Sequence, residues 1–224
     1  MDADFWHQRW DRQQIAFHQQ QVNPLLQRYW PALQLEQGSR VFVPLCGKSV
    51  DMLWLLEQGY SLVGSELSEL AVEAFFTENQ LQPQRSQIEG SGTSPLQQWQ
   101  VDSLTLLCGD LFAIDKDRCG QFDVIYDRAA LIALPESMRQ GYVDKLVGLL
   151  KPGGQILLIT LEYPSELHQG PPFSVLETDF MPLFDGFSVE NLGSELLTRD
   201  SQGFSRRGLL GSTEVVYRLQ HRGK

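Results

Sequence analysis

The sequence is poor in cysteine and in basic side chains, and it contains no long apolar segment. Its three cysteines form no C-x-x-C pair, which predicts reduced thiols and no metal site. No stretch approaches the roughly 20 apolar residues that span a bilayer. The first residues have neither the basic nor the apolar segment of a secretion signal. We therefore expect a cytoplasmic protein that does not associate with membranes.

The balance of charge argues against a further class of partner. The 28 acidic residues outnumber the 18 basic ones and give a net charge of −10, and the basic side chains form no cluster apart from the pair Arg206-Arg207. Nucleic-acid binding depends on clustered Lys and Arg, so we expect no nucleic-acid partner. The apolar content of 42% is ample for one core. We predict a single domain over residues 1–224 that is a monomer.

The first clear strand is followed by a turn, a helix and a second strand. Residues 40–45 form a short apolar run typical of a buried parallel strand. Gly47 breaks this run, and a helix with one apolar face follows it. Residues 60–65 form the second strand, and Glu66 lies at its carboxyl end.

This arrangement is typical of a nucleoside-binding site. In an open parallel sheet, ligands bind beyond the carboxyl ends of the strands, and an acidic residue about 20 positions after the glycine turn accepts from the ribose hydroxyls. Here 19 positions separate Gly47 from Glu66. The second and third glycines of G-x-G-x-x-G are absent, which argues against a bound pyrophosphate and favours S-adenosylmethionine. The alternative is an ordinary strand-helix-strand unit in which Glu66 is exposed.

Further strands alternate with helices along the rest of the chain. The predicted strands span residues 104–108, 122–126, 155–161, 187–192 and 213–219, the last of them antiparallel. This alternation predicts a parallel sheet with helices on both faces. The third strand leads to Asp110, which either accepts from the adenine amino group or caps a turn. Residues 82–102 form an insertion, interpreted as a loose hairpin, to which we assign no chemistry.

The N-terminal arm, residues 1–36, is rich in aromatic side chains. Trp6 and Trp10 are four positions apart and share one face of a predicted helix, and Phe17 follows them. These rings either dock the arm onto the sheet or cover a bound cofactor, because a sulfonium cation is attracted to an aromatic face. An arm folded over the cofactor would also exclude water from the site.

Four segments of the sequence resemble the thiopurine S-methyltransferase family. They are FVPLCGKSVDMLWLLEQGYSLVGSELSELAVEAFF, RWDRQQIAFHQ, FDVIYDRAAL and QGPPF. The resemblance covers nearly the whole chain and implies an S-adenosylmethionine-dependent enzyme of the α/β class. The implied fold is the Rossmann-like class I methyltransferase fold, with a seven-stranded, mostly parallel sheet, helices on both faces and an N-terminal helical arm that covers the cofactor site.

The same resemblance implies a set of site residues. Those expected to contact the cofactor or to lie close to it are Trp10, Leu45, Glu66 and Arg128, then Trp6, Phe17 and Gly47, with Asp110 and Leu111 beside the adenine. Members of the family methylate aromatic and heterocyclic thiols, and bacterial relatives resemble enzymes that methylate selenium and tellurium species. The expected partner is therefore a small thiol or chalcogen substrate, and the cofactor product is S-adenosylhomocysteine.

Methyl transfer to a thiol demands little of the protein. It is an in-line displacement with the reacting atoms roughly 3–3.5 Å apart, and a heteroaromatic thiol is largely ionised near neutral pH. We therefore predict no essential catalytic base. Arg128 is expected to stabilise the thiolate or to orient the methionine carboxylate, and the alternative is an ion pair with Asp127 or Glu66. Cys46 has no partner base at a recognisable spacing and is interpreted as a packing residue.

Several assignments stay open on the sequence. His18, Arg206 and Arg207 are candidates for substrate contact, and Phe173 in the QGPPF loop is expected to face a planar substrate. Two other functions use the same fold: a non-catalytic S-adenosylmethionine-binding protein and a nicotinamide-dependent oxidoreductase. The missing glycines count against the second.

Overall fold

One mixed sheet runs through the part of the chain that the computed structural model describes, residues 3–15, 17–89, 95–164, 166–198 and 209–223. The strands within these residues are β1 (Arg40–Val43), β2 (Ser61–Glu66), β3 (Gln84–Ile88), β4 (Leu96–Val101), β5 (Leu104–Cys108), β6 (Phe122–Arg128), β7 (Leu150–Glu162), β8 (Phe187–Leu196) and β9 (Thr213–His221). They are ordered β3-β4-β5-β2-β1-β6-β7-β9-β8 across the sheet.

The five strands at the centre of the sheet are parallel. β2 and β6 flank β1, and β5 and β7 lie outside them. Their carboxyl ends therefore meet along one edge, where the predicted site residues are expected. The last strand, β9, is antiparallel to both of its neighbours, β7 and β8, as predicted.

The prediction of seven strands is wrong, because the sheet has nine. The two additional strands, β3 and β4, come from the insertion at residues 82–102, and β4 pairs with the whole length of β5. Leu96 and Trp99 supply the reason, since both are buried and Trp99 stacks on Phe76 with a centroid distance of 5.7 Å. The insertion thus covers an edge strand that would otherwise be exposed.

Helices cover both faces of the sheet, as predicted. They are α1 (Ala3–Asp11), α2 (Pro24–Tyr29), α3 (Asp51–Glu57), α4 (Glu69–Glu78), α5 (Lys116–Cys119), α6 (Glu136–Leu149) and α7 (Glu177–Phe180). One core cluster joins apolar residues of α2, α3 and α4 to one face of the sheet, and a second joins those of α6 and α7 to the other. Among the described residues, no helix combines the length and the apolar character needed to cross a membrane.

Helix α2 is only six residues long. Asn23 caps α2, with its side-chain oxygen accepting from the amides of Leu25 and Leu26. The helix ends at Tyr29, and a 3₁₀ turn with Pro31 in its first positions follows, because proline cannot donate the amide hydrogen bond that would continue the helix.

Candidate active site

A cavity of about 340 Å³ lies at the carboxyl edge of the parallel strands. It is lined by the arm, the turns after β1, β2, β5 and β6, and the loop after β7. The structure brings together all the residues that the resemblance implies for the cofactor: the cavity is lined by Trp6, Trp10, Phe17, Leu45, Gly47, Glu66, Asp110, Leu111 and Arg128. Their contact with a cofactor remains a prediction.

Glu66 is fixed at the end of β2 by two backbone amides. Gly47 donates to Oε2 and Ser68 donates to Oε1, each over 2.8 Å. The residue is 7% exposed, so the alternative of an exposed Glu66 is wrong. Burial raises the pKa of the carboxyl group, and the backbone donors oppose that rise. Each oxygen keeps a lone pair that can accept a hydroxyl hydrogen from a ligand.

The turn after β1 is shaped to let an aromatic ring approach its backbone. Leu45 and Gly47 both have left-handed backbone conformations, with φ of 47° and 53°. A Cβ atom on Gly47 would lie 3.2 Å from Cζ2 of Trp10, which shows how closely the indole lies over the turn. A side chain at this position would displace the ring.

The aromatic residues of the arm form a cluster over the cavity. Phe17 contacts Trp6 and Trp10 edge to face, with centroid distances of 5.9 Å and 5.7 Å. All three residues also line the cavity. The same rings can therefore dock the arm onto the protein and cover the site, so the two alternatives do not exclude each other. His18 follows Phe17 at the cavity wall, and burial together with the charge of Lys48 lowers the pKa of its imidazole.

Arg128, the last residue of β6, carries buried donors that have no acceptor. Its Nε and Nη2 atoms make no hydrogen bond, and no ion pair within 4 Å involves Arg128 among the described residues. The alternative of a structural ion pair with Asp127 or Glu66 is therefore wrong. Arg128 as a whole is half-buried, and two buried donors without a partner at the wall of a cavity are suited to an anionic ligand.

Asp127 has a different role from its neighbour. It is fully buried and accepts from the Tyr142 hydroxyl over 2.7 Å and from the amide of Leu131 over 3.1 Å. Burial raises its pKa to about 6. These bonds fix the turn that follows β6 and so place Arg128 at the cavity.

Asp110 caps a turn, as the sequence analysis allowed. Its Oδ1 accepts from the amide of Phe112 over 2.9 Å and begins the 3₁₀ turn Leu111–Ala113. The residue also lines the cavity, so this cap leaves its second oxygen available for the adenine contact, which stays a prediction.

The QGPPF loop reaches the cavity through its prolines and not through its phenylalanine. Pro171 and Pro172 line the cavity, whereas Phe173 is absent from the lining within the described part of the chain. The Phe173 amide donates to the carbonyl of Ile132, and its ring faces the Arg139 guanidinium at 5.8 Å. The contact of this ring with a substrate stays a prediction, and the structure shows the contacts of Phe173 with Ile132 and Arg139 instead.

Sequence reasoning missed several residues of the cavity wall. They are Lys48, Asp51, Tyr126, Ile132, Leu134 and Met138. Asp51 and Tyr126 are joined by a hydrogen bond of 3.0 Å although they lie 75 positions apart, and no local pattern marks such a pair. Tertiary packing also brings Ile132, Leu134 and Met138 to the cavity wall, and no local pattern in the sequence marks them.

Cys46, interpreted from the sequence as a packing residue, is buried. Burial raises the pKa of the Cys46 thiol well above its ordinary value, which fits the packing role assigned to it. Among the residues that the structure describes, no group of three or more His, Cys, Asp or Glu side chains is arranged to hold a metal ion. Arg206 and Arg207 lie outside the described residues.

Comparison with known proteins gives a consistent result. The family model for thiopurine S-methyltransferase (TPMT) matches residues 1–222. The chain is 46% identical to a thiopurine S-methyltransferase of Shewanella woodyi, with 100% of both chains covered. It is 45% identical to one of Pseudomonas fluorescens, covering 100% of this chain and 99% of that one.

A solved structure gives the same fold at low sequence identity. This is the 1,6-didemethyltoxoflavin-N1-methyltransferase of Burkholderia thailandensis, crystallised with S-adenosylhomocysteine. It superimposes with a TM-score of 0.63 at 14% identity, and the match covers 98% of this chain and 86% of that one.

Proposed function

We propose that this chain, which belongs to the thiopurine S-methyltransferase family, methylates the sulfur of aromatic or heterocyclic thiols. Membership of the family makes it an S-adenosylmethionine-dependent methyltransferase. One observation carries the proposal: the buried Glu66 carboxylate and the free donors of Arg128 share one cavity. The carboxylate suits a nucleoside and the donors suit an anion. Family membership favours this proposal over an oxidoreductase and over a non-catalytic binding protein.

The residues of the cavity fit S-adenosylmethionine at three points. Glu66 would accept from both ribose hydroxyls, since its oxygens are already oriented by backbone amides. The aromatic cluster of Trp6, Trp10 and Phe17 would cover the sulfonium group. Arg128 would donate to the methionine carboxylate or to the acceptor thiolate. When bound, S-adenosylmethionine supplies the methyl group.

The protein's contribution to the transfer is alignment and exclusion of water. The sulfur of the acceptor forms a bond to the methyl carbon while the bond from that carbon to the sulfonium sulfur breaks, and the electron pair stays on the departing sulfur. The arm and the turn after β6 would hold the two sulfur atoms on opposite sides of the methyl group. A thiol that is already ionised needs no base, so we assign none.

The acceptor end of the cavity has walls suited to a flat heterocycle. The apolar side chains proposed to bind the acceptor are Ile132, Leu134, Met138, Pro171 and Pro172, all of which line the cavity. They would exclude water from the reacting sulfur and bind a ring by its faces. A selenolate or tellurolate is, like a thiolate, a chalcogen nucleophile that accepts a methyl group, so selenium and tellurium compounds are included among the proposed acceptors.

The proposal also covers the oligomeric state, the location and the partners of the enzyme. We place a monomer in the cytoplasm, with a small-molecule substrate and without a nucleic-acid partner. The net charge of −10 supports the last point, because a polyanion would be repelled.

The proposal is tested by release of S-adenosylhomocysteine from S-adenosylmethionine with 6-mercaptopurine as the acceptor. Hypoxanthine is the matched control, since it carries oxygen where 6-mercaptopurine carries sulfur. We expect product with the thiol and none with hypoxanthine. Equal rates with both, or no product with any thiol or selenol while calorimetry still shows cofactor binding, would contradict the assigned acceptor and leave the enzyme class standing.

A further inference from the structure

The wall of the cavity contains a second buried acid besides Glu66. Asp51, the first residue of α3, is 1% exposed and lines the cavity. Its Oδ1 accepts from the amide of Asn23 over 2.8 Å, and its Oδ2 accepts from the Tyr126 hydroxyl over 3.0 Å. A carboxylate has about four acceptor positions, so two remain for a ligand.

Asp51 lies near Arg128 without being paired to it. Tyr126 and Arg128 are two positions apart on β6, so their side chains project from the same face of the sheet, and Asp51 binds the first of them. Burial is the main cause of the pKa shifts of the His18 imidazole and the Tyr126 hydroxyl, and the charges of Asp51 and Arg128 both contribute to each shift. No ion pair within 4 Å joins Asp51 to Arg128 in the described part of the chain.

The cavity therefore presents a buried carboxylate with unused acceptor positions and a half-buried guanidinium with two buried, unpaired donor atoms. A zwitterionic α-amino acid group requires this combination, because its ammonium needs an anionic acceptor and its carboxylate needs a cationic donor. We propose that Asp51 binds the α-ammonium group of the methionine portion of S-adenosylmethionine and that Arg128 binds its carboxylate. This inference depends on the cofactor and not on which acceptor is methylated.

The competing explanation is that Asp51 is only structural, since it ties the start of α2 to β6 through Asn23 and Tyr126. The substitution Asp51→Asn separates the two explanations. The amide keeps an oxygen for the Asn23 amide, and its NH₂ group can donate to the Tyr126 hydroxyl. The substitution thus removes the charge and keeps the shape.

Calorimetry with three ligands tests the proposal on the whole chain. S-adenosylmethionine carries an ammonium and a sulfonium, S-adenosylhomocysteine carries only the ammonium, and 5′-methylthioadenosine carries neither. We expect Asp51→Asn to weaken the first two at least tenfold and to change the third less than twofold. Glu66→Gln, the control at the ribose, is expected to weaken all three.

Three results would overturn the proposal. Equal weakening of all three ligands would make Asp51 structural, and unchanged affinity for all three would remove it from the site. Weakening of S-adenosylmethionine alone would mean that Asp51 faces the sulfonium.

A second measurement on the wild-type chain tests the ammonium contact even if Asp51→Asn loses stability. The ligand is an analogue of S-adenosylhomocysteine that retains the carboxylate and lacks the amino group. We expect the wild type to bind it at least tenfold more weakly than S-adenosylhomocysteine and Asp51→Asn to bind both alike. Equal binding of both ligands by the wild type would refute the ammonium contact without reference to any variant.

Discussion

The backbone amide of Gly47 donates to Oε2 of Glu66 over 2.8 Å and so connects the turn after β1 to the end of β2. The bond sets the orientation of the carboxylate before any ligand arrives. It also explains why a glycine and an acid 19 positions apart belong to one site.

Substitution of Glu66 by alanine removes the acceptors proposed for the ribose. Hydrogen bonds to a charged group contribute about 1.5–3 kcal/mol each, so we expect affinity for S-adenosylhomocysteine to fall at least tenfold. Isothermal titration calorimetry measures this, and Glu69→Ala, an exposed acid at the start of α4, serves as the control. Unchanged affinity in Glu66→Ala would remove the residue from the cofactor site.

Substitution of Gly47 by alanine places a Cβ atom against Trp10, 3.2 Å from its Cζ2. We expect the arm to shift and affinity for S-adenosylhomocysteine to fall. Gly38→Ala is the matched control, because Gly38 also has a positive φ, 81°, but no atom lies within 4 Å of the added group. Both variants should lose about 1 kcal/mol of stability from backbone strain, and only Gly47→Ala should lose affinity. Equal affinities would show that Trp10 does not cover the cofactor.

Removal of the Arg128 side chain should affect turnover much more than stability. In Arg128→Ala we expect kcat/KM to fall at least tenfold, while the urea midpoint stays the same or rises, because the Nε and Nη2 donors have no protein acceptor to lose. Arg128→Lys should recover part of the loss, since it keeps the charge but not the planar donors. Normal turnover in Arg128→Ala would mean that its free donors have no function.

Asp127 makes stability depend on pH in a predictable direction. Its pKa in the folded chain is raised to about 6 from 3.8, so the native state binds more protons than the unfolded state between these values, and stability falls as pH rises through them. The loss amounts to about 2 kcal/mol between pH 4 and pH 7. Urea unfolding of the wild type and of Asp127→Asn at these pH values isolates it. A pH-independent difference between the two proteins would contradict the assignment.

His18 tests the prediction that no catalytic base is needed. Burial and the charge of Lys48 lower the pKa of its imidazole, so it is neutral at neutral pH and available as a base if the reaction requires one. We expect His18→Gln to keep turnover within about threefold with 6-mercaptopurine, against the 10²–10⁴-fold that a general base contributes. A loss in that larger range would assign the base to His18.

The local pattern of the sequence was sufficient for the centre of the fold. Short apolar runs, a glycine turn and an acid at the expected spacing predicted β1, α3 and β2 and placed Glu66 at the sheet edge, because each of these signals arises within about 30 residues. The family resemblance favoured the cofactor-covering role over the docking role for the arm residues and added Arg128, which no spacing rule would have linked to Glu66.

What the sequence did not reveal depends on contacts between distant segments. The insertion was interpreted as a loose hairpin, but its pairing with β5 was not predicted, because LQQWQV buries only Leu96 and Trp99 among polar residues and its apolar signal is weak. Asp51 was missed because its partners, Asn23 and Tyr126, come from separate elements. The positive φ of Leu45 has no mark in the sequence, since leucine rarely adopts it.

The most direct test of the central claim is the position of the methyl group on the product of 6-mercaptopurine. The reaction is run with S-adenosylmethionine labelled with carbon-13 in its methyl group, and the product is identified by NMR and mass spectrometry. The proposed acceptor chemistry predicts a single methyl group on sulfur, formed together with one equivalent of S-adenosylhomocysteine. A methyl group on a ring nitrogen, or bound cofactor without transfer to the thiol, would contradict it.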